Sequence, residues 1–211
     1  MIETRSIAQL LEADRLSPAR DAIVATLDAL LMGVHVRGHP GKLDVADVLQ
    51  GDIVPTPGIL VGWTRIRAAG ATAGHFAMSV DWAAYIAVED YADRGAQRRY
   101  DREVVGMALG RRLVAILHDD DVPSWGLDRV GFPEADPAPE FKPLFTAKSY
   151  ARGLAIYAAT WRQLIVCEGE SYADGPNIAF EAVPGGADFA ADPSEMTPEA
   201  LALIGELEGH E

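Results

Sequence analysis

An unbroken alternation of side chains between Phe76 and Val88 constrains the fold more than any other feature of the sequence. Every second residue of this run is apolar, and the residues between them are small or polar. A period of two is that of a β-strand, so the run predicts a long strand with one face on a core and the other against water or a partner. The predicted core positions are Phe76, Met78, Val80, Trp82, Ala84, Ile86 and Val88, and the others are Ala77, Ser79, Asp81, Ala83, Tyr85 and Ala87.

Other segments complete a predicted sheet. Residues 58–68 are typical of a strand, and the small residues 69–74 join them to the alternating strand, which predicts a long β-hairpin. Residues 154–166 are apolar on both faces, which is typical of a central strand. Shorter strands are predicted at 34–37 and 126–132. Residues 90–100 are predicted to form a polar connection, and 133–143 to be irregular because they contain four prolines.

Two helices broken near Leu16, or one kinked helix, are predicted near the N-terminus. Ser6 and Gln9 form a capping-box pattern, which predicts a helix from Ser6 to about Leu16. Ser17, followed by a proline, is predicted to cap a second helix that ends at Gly33. Its apolar stripe consists of Ile23, Leu27, Leu30 and Leu31.

A third helix is predicted from Asp101 to Leu117, and a short helical turn at 43–49. Gly106 and Gly110 lie four residues apart on the third helix, so we expect it to pack closely against the sheet. The element order predicts an α+β fold: a small mixed or antiparallel sheet with a long β-hairpin and helices packed on one face. An acidic C-terminal extension with a terminal helix follows.

The charge divides the chain into two predicted parts, an α+β domain at 1–167 and an acidic arm at 168–211. The 211 residues carry a net charge of −14, and the arm holds eleven acidic residues and no Lys or Arg. Thr197 and Pro198 are predicted to begin the terminal helix of the arm. A chain this acidic is a poor candidate for gripping nucleic acid, although an acidic wall could surround DNA without holding it.

The sequence contains neither a membrane-spanning run of roughly 18–20 apolar residues nor a signal-peptide pattern. We therefore expect no membrane association and a cytoplasmic protein. Cys167 is the only cysteine, which excludes an internal disulfide and a cysteine-based zinc site.

The residue types that carry chemistry do not form a recognisable site. His118 and Asp119, Asp120 and Asp121 are consecutive, so they cannot all face one metal ion, and a solvated loop is the better interpretation. His35 and His39 flank a turn, and Cys167 is interpreted as a buried, inert thiol. Asp81 and Glu89 are interpreted as parts of a solvated strand face. We therefore predict no catalytic, metal-binding or cofactor-binding residues, and a binding or assembly protein instead of an enzyme.

The four tryptophans are predicted to anchor a core or an interface, since the acidic balance disfavours stacking on bases. They are Trp63, Trp82, Trp125 and Trp161.

Three segments together resemble a family of tail terminator, or tail completion, proteins of Mu-like contractile-tailed phages. They are a His-Pro-Gly turn within 34–44, the strand at 82–88 and the Ala-Thr-Trp-Arg-Gln run at 159–163. The resemblance spans about residues 6–167. It implies a homo-oligomeric, hexameric ring that caps the tail tube, meets the last ring of tail sheath protein and docks the head–tail connector. It also implies a virion protein of the tail or neck, assembled in the host cytoplasm, through whose lumen DNA passes without specific binding.

Other functions remain open at this point. The chain could be another neck, head–tail joining or tube-like tail component. It could also be a small-ligand-binding module, which predicts a monomer or dimer with a closed apolar pocket. A metal-dependent hydrolase would use His118 and the three aspartates after it.

Overall fold

The computed structural model describes residues 4–41, 55–69, 76–144 and 147–168. In this part of the chain the helices are α1 (Ile7–Glu12), α2 (Leu16–Leu30), α3 (Arg102–Leu117) and α4 (Ala147–Ala151). The strands are β1 (His35–Gly38), β2 (Gly58–Ala68), β3 (Phe76–Val88), β4 (Tyr91–Asp93), β5 (Arg98–Tyr100), β6 (Val130–Pro133), β7 (Glu140–Pro143) and β8 (Ala155–Glu168).

Six of the described strands form one mixed sheet built around β3. β3 lies between β2 and β8 and is antiparallel to both, so that Trp82 stands opposite Trp63 on β2 and Trp161 on β8. β1 pairs parallel to β2 at one edge, while β6 and β7 pair with successive parts of β8 at the other. The predicted α+β class, the long hairpin and the position of 154–166 inside the sheet are therefore confirmed.

Helices α2 and α3 bury one face of this sheet, here called the inner face. From Val80 to Val88, every second residue of β3 is fully buried there, as the alternation predicts. Phe76 is an exception, since it lies at the start of the strand and is 47% exposed. The helices contribute Ala19, Ile23 and Leu27 from α2, and Leu113, Ile116 and Leu117 from α3.

Two glycines bring α3 against the sheet, as their spacing predicts. A Cβ atom at Gly106 would overlap the ring of Tyr157, and one at Gly110 would overlap the ring of Phe141. These two rings stack on each other with centroids 5.3 Å apart. The helix axis can approach the sheet only because both positions lack a side chain.

The face of the sheet turned away from α2 and α3, here called the second face, differs from the prediction. Its half nearest the end of β3 is buried, including Ala83, Tyr85 and Ala87, and Leu144 packs against it. Leu60 and Ala158 lie beside Tyr85 in the register and make this half apolar. Of the two predicted alternatives, water or a partner, contact with water is wrong for this half, because the sequence of one strand does not reveal the neighbours that bury it.

The helix starts show one confirmed prediction and one wrong one. The capping box of α1 is present: Gln9 N–H donates to Ser6 Oγ at 3.3 Å, and Ser6 N–H donates to Gln9 Oε1 at 2.8 Å. α2 begins at Leu16, however, and Ser17 does not cap it. The N-cap residue is Arg15, whose side chain forms no capping hydrogen bond, and the carboxylate of Asp14 one residue earlier accepts from the N–H groups of Leu16 and Ser17.

Two segments predicted without regular structure contain strands. Residues 90–100 include a hairpin of β4 and β5, whose turn is fixed by the Asp93 carboxylate accepting from the N–H groups of Gly95 and Ala96. Residues 133–143 include β7, which tolerates proline because it lies at the edge of the sheet. The predicted helical turn at 43–49 and the acidic arm after residue 168 lie outside the described residues.

Among the described residues, no helix has the length and apolar character needed to cross a membrane.

Candidate functional site: a polar cleft on the second face

The polar half of the second face begins where the register places three charged residues side by side. Arg65 on β2 and Arg162 on β8 both lie opposite Asp81 on β3. Paired residues of neighbouring strands project from the same face, so these side chains share one surface. Arg67, two residues after Arg65, lies on the same face.

Asp81 joins two of these arginines through one oxygen. Its Oδ1 accepts from Arg67 Nη2 at 2.7 Å and from Arg162 Nε at 2.8 Å. Arg162 Nη1 also lies 3.5 Å from Glu134 Oε2. The arginine side chains are 34% and 25% exposed, so these ion pairs are partly shielded from water. Asp81 is therefore less solvated than interpreted: its side chain is 23% exposed, because arginines of the two neighbouring strands pair with it.

The electrostatics of Asp81 reflect this arrangement. Partial burial raises the pKa of its carboxyl, but the hydrogen bonds and positive charge of Arg162 and Arg67 outweigh burial. The pKa of Asp81 consequently lies below its ordinary value of 3.8. Asp81 is thus held in its charged form as the link between the two guanidinium groups.

Arg65 completes an arginine cluster, defined here as Arg65, Arg67 and Arg162. Its side chain is exposed, and it forms no ion pair with any residue of the described ranges. The cluster thus contains three guanidinium groups beside two carboxylates, those of Asp81 and Glu134, and among the described residues only Arg67 and Arg162 pair with them. The cluster carries surplus positive charge in a chain whose net charge is −14.

A cleft of about 270 Å³ opens beside the cluster. The connection between β6 and β7, together with the first residue of β7, forms one wall of the cleft. The sheet lines the rest of it with Thr64, Asp81, Trp82, Thr160, Trp161 and Arg162. The cleft is below the usual size of a small-molecule pocket and contains charged groups. It can accept a few side chains of a protein segment, with Arg162 placed to bind a carboxylate. The wall consists of Pro137, Ala138 and Glu140.

The Thr-Trp-Arg-Gln run at 160–163 supplies both this cleft and a buried hydrogen-bonded centre. Thr160, Trp161 and Arg162 all line the cleft, and the side chains of Trp161 and Gln163 are buried. Gln163 is fully buried, and its Oε1 accepts from the indole Nε1 atoms of Trp125 at 2.9 Å and Trp161 at 2.7 Å. Its Nε2 donates to the carbonyls of Pro123 and Gly131. The run therefore joins the core to the second face.

The residues that were considered as metal ligands or nucleophiles lie in separate parts of the fold. His118 and Asp119, Asp120 and Asp121 are exposed at the end of α3, and Asp119 accepts hydrogen bonds from the N–H groups of Asp121 and Val122. Within the described ranges, no three potential metal ligands are grouped together.

The remaining candidates have structural positions. His39 Nδ1 lies 2.8 Å from the carbonyl of Gly41, in the turn predicted there, while His35 is exposed on β1. Cys167 is half-buried at the margin of the core, so the prediction of a buried thiol is only partly correct. Glu89 is exposed, as interpreted. Trp82, Trp125 and Trp161 are core residues, whereas Trp63 is 38% exposed.

Exposed apolar side chains on α1 form a second surface that sequence reasoning did not use. Ile7, Leu10 and Leu11 are 75%, 55% and 71% exposed, and no residue of α1 is buried. Their shared helical face was visible in the sequence. That this face would not join the core was not visible, because the pattern of a core-facing helix is the same.

Comparison with protein families gives one match. The family model described as Bacteriophage Mu, Gp37 matches residues 15–164. The match includes the arginine cluster, the cleft and the Gln163 centre, and it ends before the acidic arm. No curated protein sequence matches the chain. Membership of a Mu-like phage family favours a structural, tail-related phage protein.

Proposed function

The chain belongs to the Bacteriophage Mu Gp37 family, and from this premise we propose that it is a ring-forming tail terminator of a contractile phage-like tail. In this role the ring caps the tail tube and the last sheath ring and joins the tail to the head connector. The family match over residues 15–164 is the observation that carries the proposal. The proposed location is the tail or neck of the virion, after assembly in the host cytoplasm.

Two features of the described residues support an assembly role. The apolar side chains exposed on α1 are typical of surfaces that protein partners cover. The cleft beside the arginine cluster offers a second, polar surface for a protein segment. We propose a hexamer as the homo-oligomeric state, with the tube, sheath and connector proteins as partners.

The net charge agrees with the proposed passage of DNA through the lumen. A chain that carries −14 repels the phosphate backbone and does not retain it. DNA is therefore proposed to pass without specific binding, and the protein is proposed not to associate with membranes.

We propose further that the protein is not an enzyme. Asp120 lies at the centre of the run of three aspartates that was considered for metal binding. In a structural protein this exposed run has no chemical role, so Asp120→Ala is expected to leave ring formation and tube binding unchanged. Purified wild-type protein would be assayed with phosphodiester and peptide substrates beside this variant. A hydrolytic activity that disappears in Asp120→Ala would contradict the proposal.

The native mass of the purified protein tests the ring directly. Light scattering after size exclusion, with negative-stain images of the same peak, is expected to show rings of about six subunits. If the protein is monomeric, purified tail tubes are added, and rings are expected at the tube ends. A protein that binds the connector but not the tube would instead be a head–tail joining component. A monomer that binds neither would overturn the proposed function.

A further inference from the structure

We propose that the arginine cluster and its cleft bind the acidic segment 169–211 of an adjacent subunit. This inference rests on the proposed ring, because it names the contact by which neighbouring subunits hold each other. Three observations support the inference: the surplus positive charge of the cluster, the shape of the cleft and the position at which the acidic segment begins.

The distribution of charge makes the two surfaces complementary. Eleven acidic residues and no Lys or Arg lie from Glu168 to the C-terminus, whereas residues 1–167 are nearly balanced. On the second face, Arg67 and Arg162 share the single Oδ1 atom of Asp81, and Arg65 has no ionic partner among the described residues. The cluster can therefore accept further carboxylates without losing the ion pairs that position it.

The environment of the arginines favours carboxylate binding. Arg67 and Arg162 are already about two-thirds to three-quarters shielded from water, so little additional desolvation is needed when a carboxylate approaches. A planar guanidinium group presents paired donors that match a carboxylate in a bidentate manner. The cleft admits a few side chains at a time, which fits an extended segment crossing the sheet face.

The strand that carries Arg162 ends just before the acidic segment begins. β8 continues from Arg162 to Glu168, six residues or about 20 Å further along the strand. The last residue of β8 therefore lies about 20 Å along the strand from the arginine of the cleft. The 43 residues that follow could span up to about 140 Å when extended, which is ample for reaching a neighbouring subunit.

An acidic peptide suits this surface better than DNA. Asp81, Glu134 and Glu140 lie within or beside the cleft and would oppose a stiff, evenly charged phosphate backbone. A peptide can place single carboxylates next to the arginines and its uncharged residues next to these acids. DNA binding is therefore the competing outcome that the experiment has to separate.

The test compares two charge reversals in the full-length chain. Arg65→Glu changes an exposed member of the cluster, and Arg98→Glu makes the same change at an exposed position on β5. The concentration at which rings half-assemble is measured by light scattering, and folding is checked by thermal unfolding. Arg65→Glu is expected to raise that concentration about tenfold, since a charged hydrogen bond is lost and a repulsion is added. Arg98→Glu and the charge-conserving Arg65→Lys are expected to behave as wild type.

A mixing experiment shows which subunit supplies the acidic segment. A second variant replaces Glu195, Glu199, Glu206 and Glu208 by Gln, and by itself it is also expected to assemble poorly. When it is mixed with Arg65→Glu, the intact acidic segments of one variant can bind the intact clusters of the other, so assembly is expected to recover in part. Two defective variants without recovery would place the contact within one subunit and overturn the proposal.

The remaining outcomes separate this inference from the proposed function. Wild-type rings that Arg65→Glu and Arg98→Glu affect equally would overturn only the inference. If Arg65→Glu assembles like wild type but is the one variant that loses binding to a short DNA duplex, the cluster is a DNA-binding surface instead. The absence of rings in the wild type, with and without tail tubes, would overturn the proposed function itself.

Discussion

The buried tryptophans differ in the hydrogen bonding of their indole N–H groups, and this difference determines how each one stabilises the fold. Trp125 and Trp161 donate hydrogen bonds to Gln163, with ring centroids 6.2 Å apart. Nε1 of Trp82 is buried and finds no hydrogen-bond partner among the described residues. Trp82 therefore stabilises the protein through apolar contact alone, at the centre of three paired strands.

Replacing Trp82 by alanine is predicted to lower the free energy of unfolding by about 3–5 kcal/mol. The side chain is fully buried, so the substitution leaves a cavity among residues that cannot close around it. Trp63→Ala is the matched control, because Trp63 lies opposite Trp82 on the same face but is 38% exposed. Chemical denaturation measures both variants, and equal losses would contradict the structural assignment.

Replacing Asp81 by asparagine is predicted to cost stability in a pH-dependent manner. The pKa of Asp81 is lowered in the folded state, so its ion pairs stabilise the protein above the unfolded-state pKa of about 3.8. That contribution is lost as the pH falls further and the folded carboxyl takes up its proton. The difference in unfolding free energy between wild type and Asp81→Asn should therefore shrink below about pH 4.

Asp120→Asn provides the charge-matched control for Asp81→Asn. It removes one negative charge from an exposed loop position that forms no ion pair within the described ranges. A stability difference for Asp81→Asn that stayed constant between pH 7 and pH 3 would contradict the ion-paired geometry.

At the scale of elements, the position of α3 depends on its two buried glycines. Gly106→Ala and Gly110→Ala would each gain helix propensity, worth about 1 kcal/mol in an exposed helix. The added methyl group would overlap the ring of Tyr157 or Phe141, and these stacked rings have little room to move. Each variant is therefore predicted to be less stable than wild type by roughly 1–3 kcal/mol.

Ala108→Gly is the control for these helix variants. Ala108 is exposed on α3, so the reverse change there should cost only the propensity difference of about 1 kcal/mol. Thermal and denaturant unfolding would measure all three proteins. A Gly110→Ala protein more stable than wild type would show that α3 does not approach Phe141 as closely as described.

Elements with a strong period could be predicted from the sequence, whereas their surroundings could not. The alternation in β3 predicts which of its faces is buried, and the glycine spacing in α3 predicts that this helix packs closely against the sheet. The strands β4, β5 and β7 have only three or four residues, too few for a period to appear. The arginine cluster was missed for a different reason: residues 65, 81 and 162 are far apart in sequence, and only the register places them together.

At the scale of the whole molecule, the core residues and most of the net negative charge lie in different parts of the sequence. In the described part of the chain, the residues of the inner-face core lie between Leu16 and Cys167. Most of the net negative charge lies beyond them, because residues 168–211 contain eleven acidic residues and no Lys or Arg. Folding and assembly are thus expected to depend on different parts of the sequence.

Deletion of residues 168–211 is predicted to leave the remaining domain folded and to weaken ring assembly. The truncated chain keeps the core residues and loses eleven negative charges, so its net charge falls to about −3. Cooperative unfolding at nearly the full-length melting temperature would indicate an intact domain, and light scattering would report assembly. Adding salt to the full-length protein should weaken assembly in the same direction, since at 0.1 M ionic strength the attraction between exposed charges more than about 10 Å apart is largely screened. A truncated protein that assembled as readily as the full-length chain would show that the acidic segment does not hold subunits together.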